Sequence, residues 1–272
     1  MKRKEQTFKM ENTNNASRVE PVQLGLNSRF VFECHPGVSC FTQCCRGIDI
    51  MLTPYDILRM KTRLGLTSDA FLAIYTEVKI LEKTDLPIVT LRLLDDEKRS
   101  CPFVKDGKGC IIYDDRPTTC RYYPLGIASL SYTKEREGDE FFFVVREDHC
   151  KGFDEKKEWS VKEWRRDQGV DIHDEINAGW TELVVMKKSF PANITINEKA
   201  KQMFFLASYN IDKFKQFVFD SSFLGRYDIE NSVIEAIKVD EVELLRFAFK
   251  WIKEVLFQSD EIEENRTFKL RK

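Results

Sequence analysis

The chain lacks any apolar stretch long enough to cross a bilayer. Runs such as 141–145 (FFFVV) stop at five residues, where a span needs about 20 and a signal peptide needs about 7–15 behind a basic start. It also lacks a charge surplus: 43 Lys+Arg stand against 45 Asp+Glu, for a formal charge of −2. Without a basic stripe there is no electrostatic reason to expect nucleic acid, and the short cluster Lys2, Arg3, Lys4 does not supply one. Three histidines leave little material for a Cys–His or Ser–His–Asp site, and no Gly-x-Gly-x-x-Gly loop follows a strand pattern. These absences predict a cytoplasmic protein with no membrane and no nucleic-acid partner.

What is present is cysteine, eight of them, in a chain of 272 residues. A chain of that length buries a core without covalent staples, so small size does not explain them. In a reducing cytosol such a set points to metal or catalysis rather than disulfides. Their distribution is uneven. Cys34, Cys40, Cys44 and Cys45 fall within twelve residues, Cys101, Cys110 and Cys120 follow at spacings of nine and ten, and Cys150 closes the set. None lies in the last 122 residues.

The pattern of elements predicts an α+β cysteine-ligated domain over 25–155, after a mobile polar tail at 1–24 and before a mainly helical segment at 156–272 packed on it. The first cysteine group sits on a loop between extended stretches. A helix follows, with Thr53 as N-cap, Pro54 at the first position, Asp56 in the first turn and Gly65 as stop; Ser68 caps a second. Residues 86–94 read as a strand, and 101–113 as a hairpin across a glycine-containing turn that brings Cys101 and Cys110 together. A single helical turn after Pro117 carries Cys120, and 141–145 read as a buried strand leading to His149 and Cys150. Ser160 and Glu163 form a capping box, and helical patterns cover 171–188, 198–219 and 241–257. The acidic stretch at 171–175, with His173 inside it, reads as a solvated helix start.

Thiolate, not thiol, binds metal, and several neighbouring thiolates persist at neutral pH only with a cation among them. All eight cysteines, Cys34, Cys40, Cys44, Cys45, Cys101, Cys110, Cys120 and Cys150, are therefore candidate ligands. Four suit tetrahedral zinc or a four-iron cluster, and eight suit two such centres. The adjacent pair Cys44-Cys45 leans toward iron–sulfur, because consecutive side chains in extended backbone point to opposite faces and seldom converge on one small ion. Arg46, Arg116 and Arg121 lie one to four residues from a cysteine, where guanidinium offsets the negative charge of such a centre and donates to its sulfurs. His35 and His149 each adjoin a cysteine, and imidazole is a competent ligand.

At these residues the sequence resembles the YkgJ-type CxxCxxCC cysteine-cluster family of zinc- or iron-chelating domains. The match is carried by Cys34, Cys40 and Cys44-Cys45, by Leu52-Thr53 and Asp56-Ile57 with Arg59, and above all by Cys110-x-x-Tyr113-x-x-Arg116-Pro117-x-x-Cys120-Arg121-x-x-Pro124. The gaps of five and three in the first group depart from the two-residue gaps of the family name. The resemblance implies a metal or iron–sulfur site, and one branch, the flagellin lysine-N-methylases, implies S-adenosylmethionine. The leading expectation is an iron–sulfur protein, with one or two 4Fe–4S clusters, that serves a protein partner in redox, sensing or maturation work. The alternatives are a zinc-stabilised protein-interaction module and a lysine N-methyltransferase-like enzyme.

Overall fold

A computed structural model describes residues 17–20, 22–129, 140–189, 196–257 and 268–271. The chain opens with β1 (Ser17–Val19) and β2 (Arg29–Val31), then β3 (Met51–Leu52), α1 (Pro54–Leu64), α2 (Ser68–Tyr75), β4 (Thr76–Leu81) and β5 (Leu86–Leu91). Next come β6 (Val104–Lys105), β7 (Gly109–Cys110), α3 (Thr118–Tyr122), β8 (Leu125–Ser129), β9 (Glu140–Glu147) and β10 (Glu158–Ser160). Helices then take over: α4 (Val161–Gln168), α5 (Val170–Lys188), α6 (Glu198–Tyr209), α7 (Ile211–Asp220), α8 (Phe223–Arg226), α9 (Asn231–Val239) and α10 (Glu241–Trp251). The fold is α+β, a strand-containing N-terminal part followed by a helical one. Among the described residues no helix is long and apolar enough to cross a membrane.

The sheets are small and antiparallel, in the orders β1-β9-β8, β10-β2, β3-β5-β4 and β6-β7. The centre of the third is β5, whose six residues are all buried. Helix α6 packs against it, and α1 forms where its sequence dictates. Thr53 and Asp56 make a reciprocal capping box, Pro54 opens the helix, and Gly65 closes it at φ 64°, a left-handed turn that glycine takes without steric cost. Its inner face carries Ile57, Leu58 and Met60.

The largest apolar cluster runs without a break from Leu52, Phe71 and Val89 to Phe204, Phe214, Leu244 and Trp251 of the helices. A second, smaller one gathers Phe30, Phe32, Tyr122, Leu125, Phe142, Val144, Val161, Trp164 and Val170.

Several expectations are corrected. The expected tail reaches less far, since Ser17–Val19 pairs with β9 and Leu24 bridges Phe142; backbone pairing needs no apolar periodicity. Residues 1–16 and 21 lie outside the described residues. The cap of α2 is Thr67, one residue before Ser68. The 198–219 helix is two, because Asn210 ends α6 and its side chain caps α7 by accepting from the Lys213 N–H. Residues 141–145 alternate between buried and half-buried, which is the pattern of a strand with one face to the core.

Candidate metal centre

Four segments bring the cysteines together, and main-chain hydrogen bonds lock them to one another. The first group ends in a single tight turn, Gln43–Cys45, entered by Thr42 at φ 69°. A β-branched residue in the left-handed region is strained, so the surrounding contacts impose this turn and with it the placement of Cys44 and Cys45. The next three residues lie antiparallel to the segment before Cys101: the Cys101 N–H donates to Cys45 O at 2.8 Å and the Gly47 N–H to Arg99 O at 3.0 Å. From there Val104 pairs with Cys110 across β6-β7. Gly109, at φ 79°, lies so close to Phe41 that a Cβ would come within 2.9 Å of the ring. The hairpin is thereby pressed onto the first cysteine loop. Cys150 arrives from the other side: the Lys151 N–H donates to Cys40 Sγ at 3.1 Å and the Glu33 N–H to Gly152 O at 3.0 Å.

The eight thiols are all free and sort into two neighbourhoods. Cys45, Cys101, Cys110 and Cys120 adjoin the large core, and Cys150 adjoins the small one. Electrostatics follow the same division. Partial desolvation and then the neighbouring Cys44, Cys40 and Cys150 push the Cys34 thiol up to about 12, although Cys34 is the one exposed residue of the set. Burial and then Cys40 and Cys44 raise Cys150, against the nearby Tyr123 hydroxyl, which lowers it. Cys101 rises to about 11 through burial and then Cys110 and Cys44, and Cys120 rises through burial and then Cys101, Cys44, Asp56 and Cys110. Cys44, bonded to Cys45, is raised as well and is the neighbour common to both sets. Without a cation these thiols stay protonated at neutral pH.

A buried polar knot positions Cys120. Asp56, fully buried, accepts from the Thr118 N–H at 2.9 Å, from Thr118 Oγ1 at 2.6 Å and from the Thr53 N–H at 2.9 Å. His173 Nδ1 lies 3.2 Å from the same carboxylate. One aspartate thus fixes the starts of α1 and α3 together and anchors both to α5. The sequence reading placed His173 on a solvated helix start; it is 2 % exposed. The signal was available, since His173, Ile176, Trp180 and Leu183 recur at helical spacing on the buried face.

The arginines are placed as follows. Arg46 pairs with Asp106 at 2.6 Å, tying the first loop to the hairpin tip. Arg116, buried, donates to Tyr113 O and Gln168 Oε1 and lies over the Tyr113 ring; its charge favours the thiolate of Cys110, whose thiol burial otherwise pushes up. Arg121, also buried, spends its guanidinium on the carbonyls of Arg116, Gln168 and Asp114. Burial and then Arg116 lower its pKa. Two buried cations that donate to neutral acceptors suit an anionic neighbour. His149 Nε2 lies 3.3 Å from Glu147 rather than at a sulfur.

A stretch that gathers eight free thiols beside buried arginines has a counterpart among known families. Residues 33–151 match the model of the CxxCxxCC family. The family description reads "Putative zinc- or iron-chelating domain", and the matched residues contain every cysteine of the chain. The match supports metal binding by this stretch. No curated protein and no solved structure matches the chain.

Proposed function

We propose that the chain is a cytoplasmic iron–sulfur protein of the YkgJ type that holds two thiolate-ligated centres and exchanges electrons with a protein partner. The observation that carries this reading is the gathering of eight free thiols from four segments, more than one four-thiolate centre uses, with the adjacent Cys44 and Cys45 available to separate centres. The division runs through the Cys44-Cys45 pair. Cys45, Cys101, Cys110 and Cys120 stand at the large core as one set of four, leaving Cys34, Cys40, Cys44 and Cys150 as the other. When bound, such centres supply one-electron chemistry at potentials set by net charge, hydrogen bonds to sulfur and exposure. Arg116 beside Cys110 and the Tyr123 hydroxyl beside Cys150 are the side chains that act on those terms. The chemistry of eight free thiols requires a reducing compartment, which fits the cytoplasm.

Anaerobic purification tests this directly. A brown protein with about eight irons and matching sulfide per chain is expected for two four-iron centres. A colourless protein carrying zinc would overturn it in favour of a zinc-stabilised module.

A further inference from the structure

Apart from the thiols, one group of side chains among the described residues presents three metal-competent atoms together. Glu33, His35 and Glu155, all partly buried, bring one carboxylate or imidazole ligand atom each to within 4.8 Å of the other two. His35 Nε2 lies 3.8 Å from Glu155 Oε2. The grouping is built by the backbone. The Glu33 N–H donates to Gly152 O at 3.0 Å and the Phe32 N–H to Lys157 O at 2.9 Å, which clamps the first segment to the second on both sides of Glu155. The imidazole is held as well. The Gly37 N–H donates to His35 Nδ1 at 3.1 Å, and Gly37 lies so near the ring that a Cβ would come within 2.9 Å of Cε1.

Position gives the group its meaning. Glu33 and His35 flank Cys34, the exposed member of the thiol set, whose neighbours are Cys44, Cys40 and Cys150. Two carboxylates and an imidazole are oxygen and nitrogen donors suited to ferrous, manganous or zinc ions, softer sulfur being the stronger ligand for iron–sulfur and zinc. Donation from Gly37 to Nδ1 leaves the ring proton on Nε2. Capture of a cation at Nε2 therefore moves that proton to Nδ1 and gives up the Gly37 bond, the ring being neutral before and after. With this cost and three protein ligands the site binds weakly, and weak binding suits transfer.

We propose that Glu33, His35 and Glu155 form a loading site that takes up a divalent first-row cation and passes it to Cys34 and the thiols behind it. The oxidation state of the cation does not change: bonds to two oxygens and a nitrogen break, a bond to sulfur forms, and the Cys34 proton leaves to water. The loading role rests on the metal-centre reading above; the site itself does not.

Titration of the full-length chain with Mn²⁺, followed by the loss of its free electron-paramagnetic-resonance signal, reads the site apart from the thiols. One bound ion is expected, with affinity lowered about tenfold or more in E33Q/E155Q and in the milder H35N, and unchanged in R246A. Undiminished Mn²⁺ binding in both carboxylate and histidine variants would overturn the site whatever the cysteines hold. Anaerobic reconstitution with Fe²⁺ and sulfide reads the role: E33Q/E155Q, with wild-type circular dichroism, should load several-fold more slowly to the same final iron. Equal rates, or a lower final iron content, would overturn it.

Discussion

The two halves of the chain reach order by different means. From α5 onward the described residues are mainly helical around an aromatic core in which Phe214, Trp251, Phe223, Phe268 and Phe247 touch in series. Such rings each remove a large apolar area from water. The cysteine-bearing stretch has strands of two to eight residues, a tight turn entered by a strained threonine, and an apolar interior that it shares with the helices: Leu52, Phe71 and Val89 lie in the large cluster, and Val161, Trp164 and Val170 close the small one. The segments that carry the thiols are cross-tied by single main-chain bonds beside cysteines, such as Cys101 N–H to Cys45 O and Lys151 N–H to Cys40 Sγ. Where such loops rest on few bonds, a bound metal can contribute stability; where the helices pack ring on ring, none is needed.

The harshest test of that contrast is removal of metal. Apparent metal-binding energies of about 10–16 kcal/mol rival the whole stability of a domain, roughly 5–15 kcal/mol. Chelation under anaerobic conditions should strip hydrogen-exchange protection from the amides of Cys45, Gly47, Cys101 and Lys151 while α6, α7 and α10 keep theirs. Equal loss in both halves, or none, would break the comparison.

The converse test acts on the helical side. Phe214, fully buried between α7 and Trp251, should cost about 3–5 kcal/mol on replacement by alanine. The melting temperature should fall, yet metal per folded chain should stay at the wild-type value. A Phe214→Ala protein that loses metal in proportion to stability would show the halves to be one cooperative unit, as their shared core permits.

Asp56→Ala tests the joint between them. It deletes the Asp56 half of the α1 capping box and leaves the Thr53 and Thr118 N–H groups without their acceptor, for about 2–4 kcal/mol. Because Thr118–Tyr122 carries Cys120, this variant should also lose metal faster on chelator challenge than Phe214→Ala does. Equal chelation rates would remove Asp56 from the positioning of the site.

Much of this was legible in residues with local causes. The Thr53 and Asp56 box, Pro54, Gly65 and the Ser160 and Glu163 box each make their bonds within a turn, and each formed as read. The resemblance rested on the Cys110-to-Pro124 string, which is contiguous in the sequence. What escaped was non-local. Asp56 looked like a first-turn acid because its second task, holding Thr118 and His173, depends on partners 62 and 117 positions away. The pairing of Ser17–Val19 with β9 escaped because it is made by backbone, which every sequence possesses.

The metal-free protein should carry the contrast into its pH dependence. Burial raises the Cys101 thiol from 9.0 to about 11. A group whose folded value lies above its unfolded one stabilises fully below the unfolded value and ceases to do so as pH climbs through the folded one. Cys101 alone should therefore take about 2–3 kcal/mol from metal-free stability between pH 9 and 11, with the other raised thiols adding to the fall, read as a drop in denaturant midpoint. Cys101→Ser should make that slope shallower, and an unchanged slope would count against burial as its cause.

The smallest expected effects lie on the surface, and there the halves should cease to differ. Arg29 pairs with Glu158 at 2.8 Å across β2-β10, both about half exposed. Arg246 pairs with Glu175 at 2.9 Å between α10 and α5, equally open to water. Solvent screens both, so Arg29→Ala and Arg246→Ala should each cost about 0.2–1 kcal/mol, less in high salt. Denaturant midpoints for the two should agree within that range, with metal content unaltered. A loss of several kcal/mol from Arg29→Ala alone would mean that the sulfur-bearing half relies on its ion pairs as well as its thiols, and the difference between the halves could then no longer be assigned to what each buries.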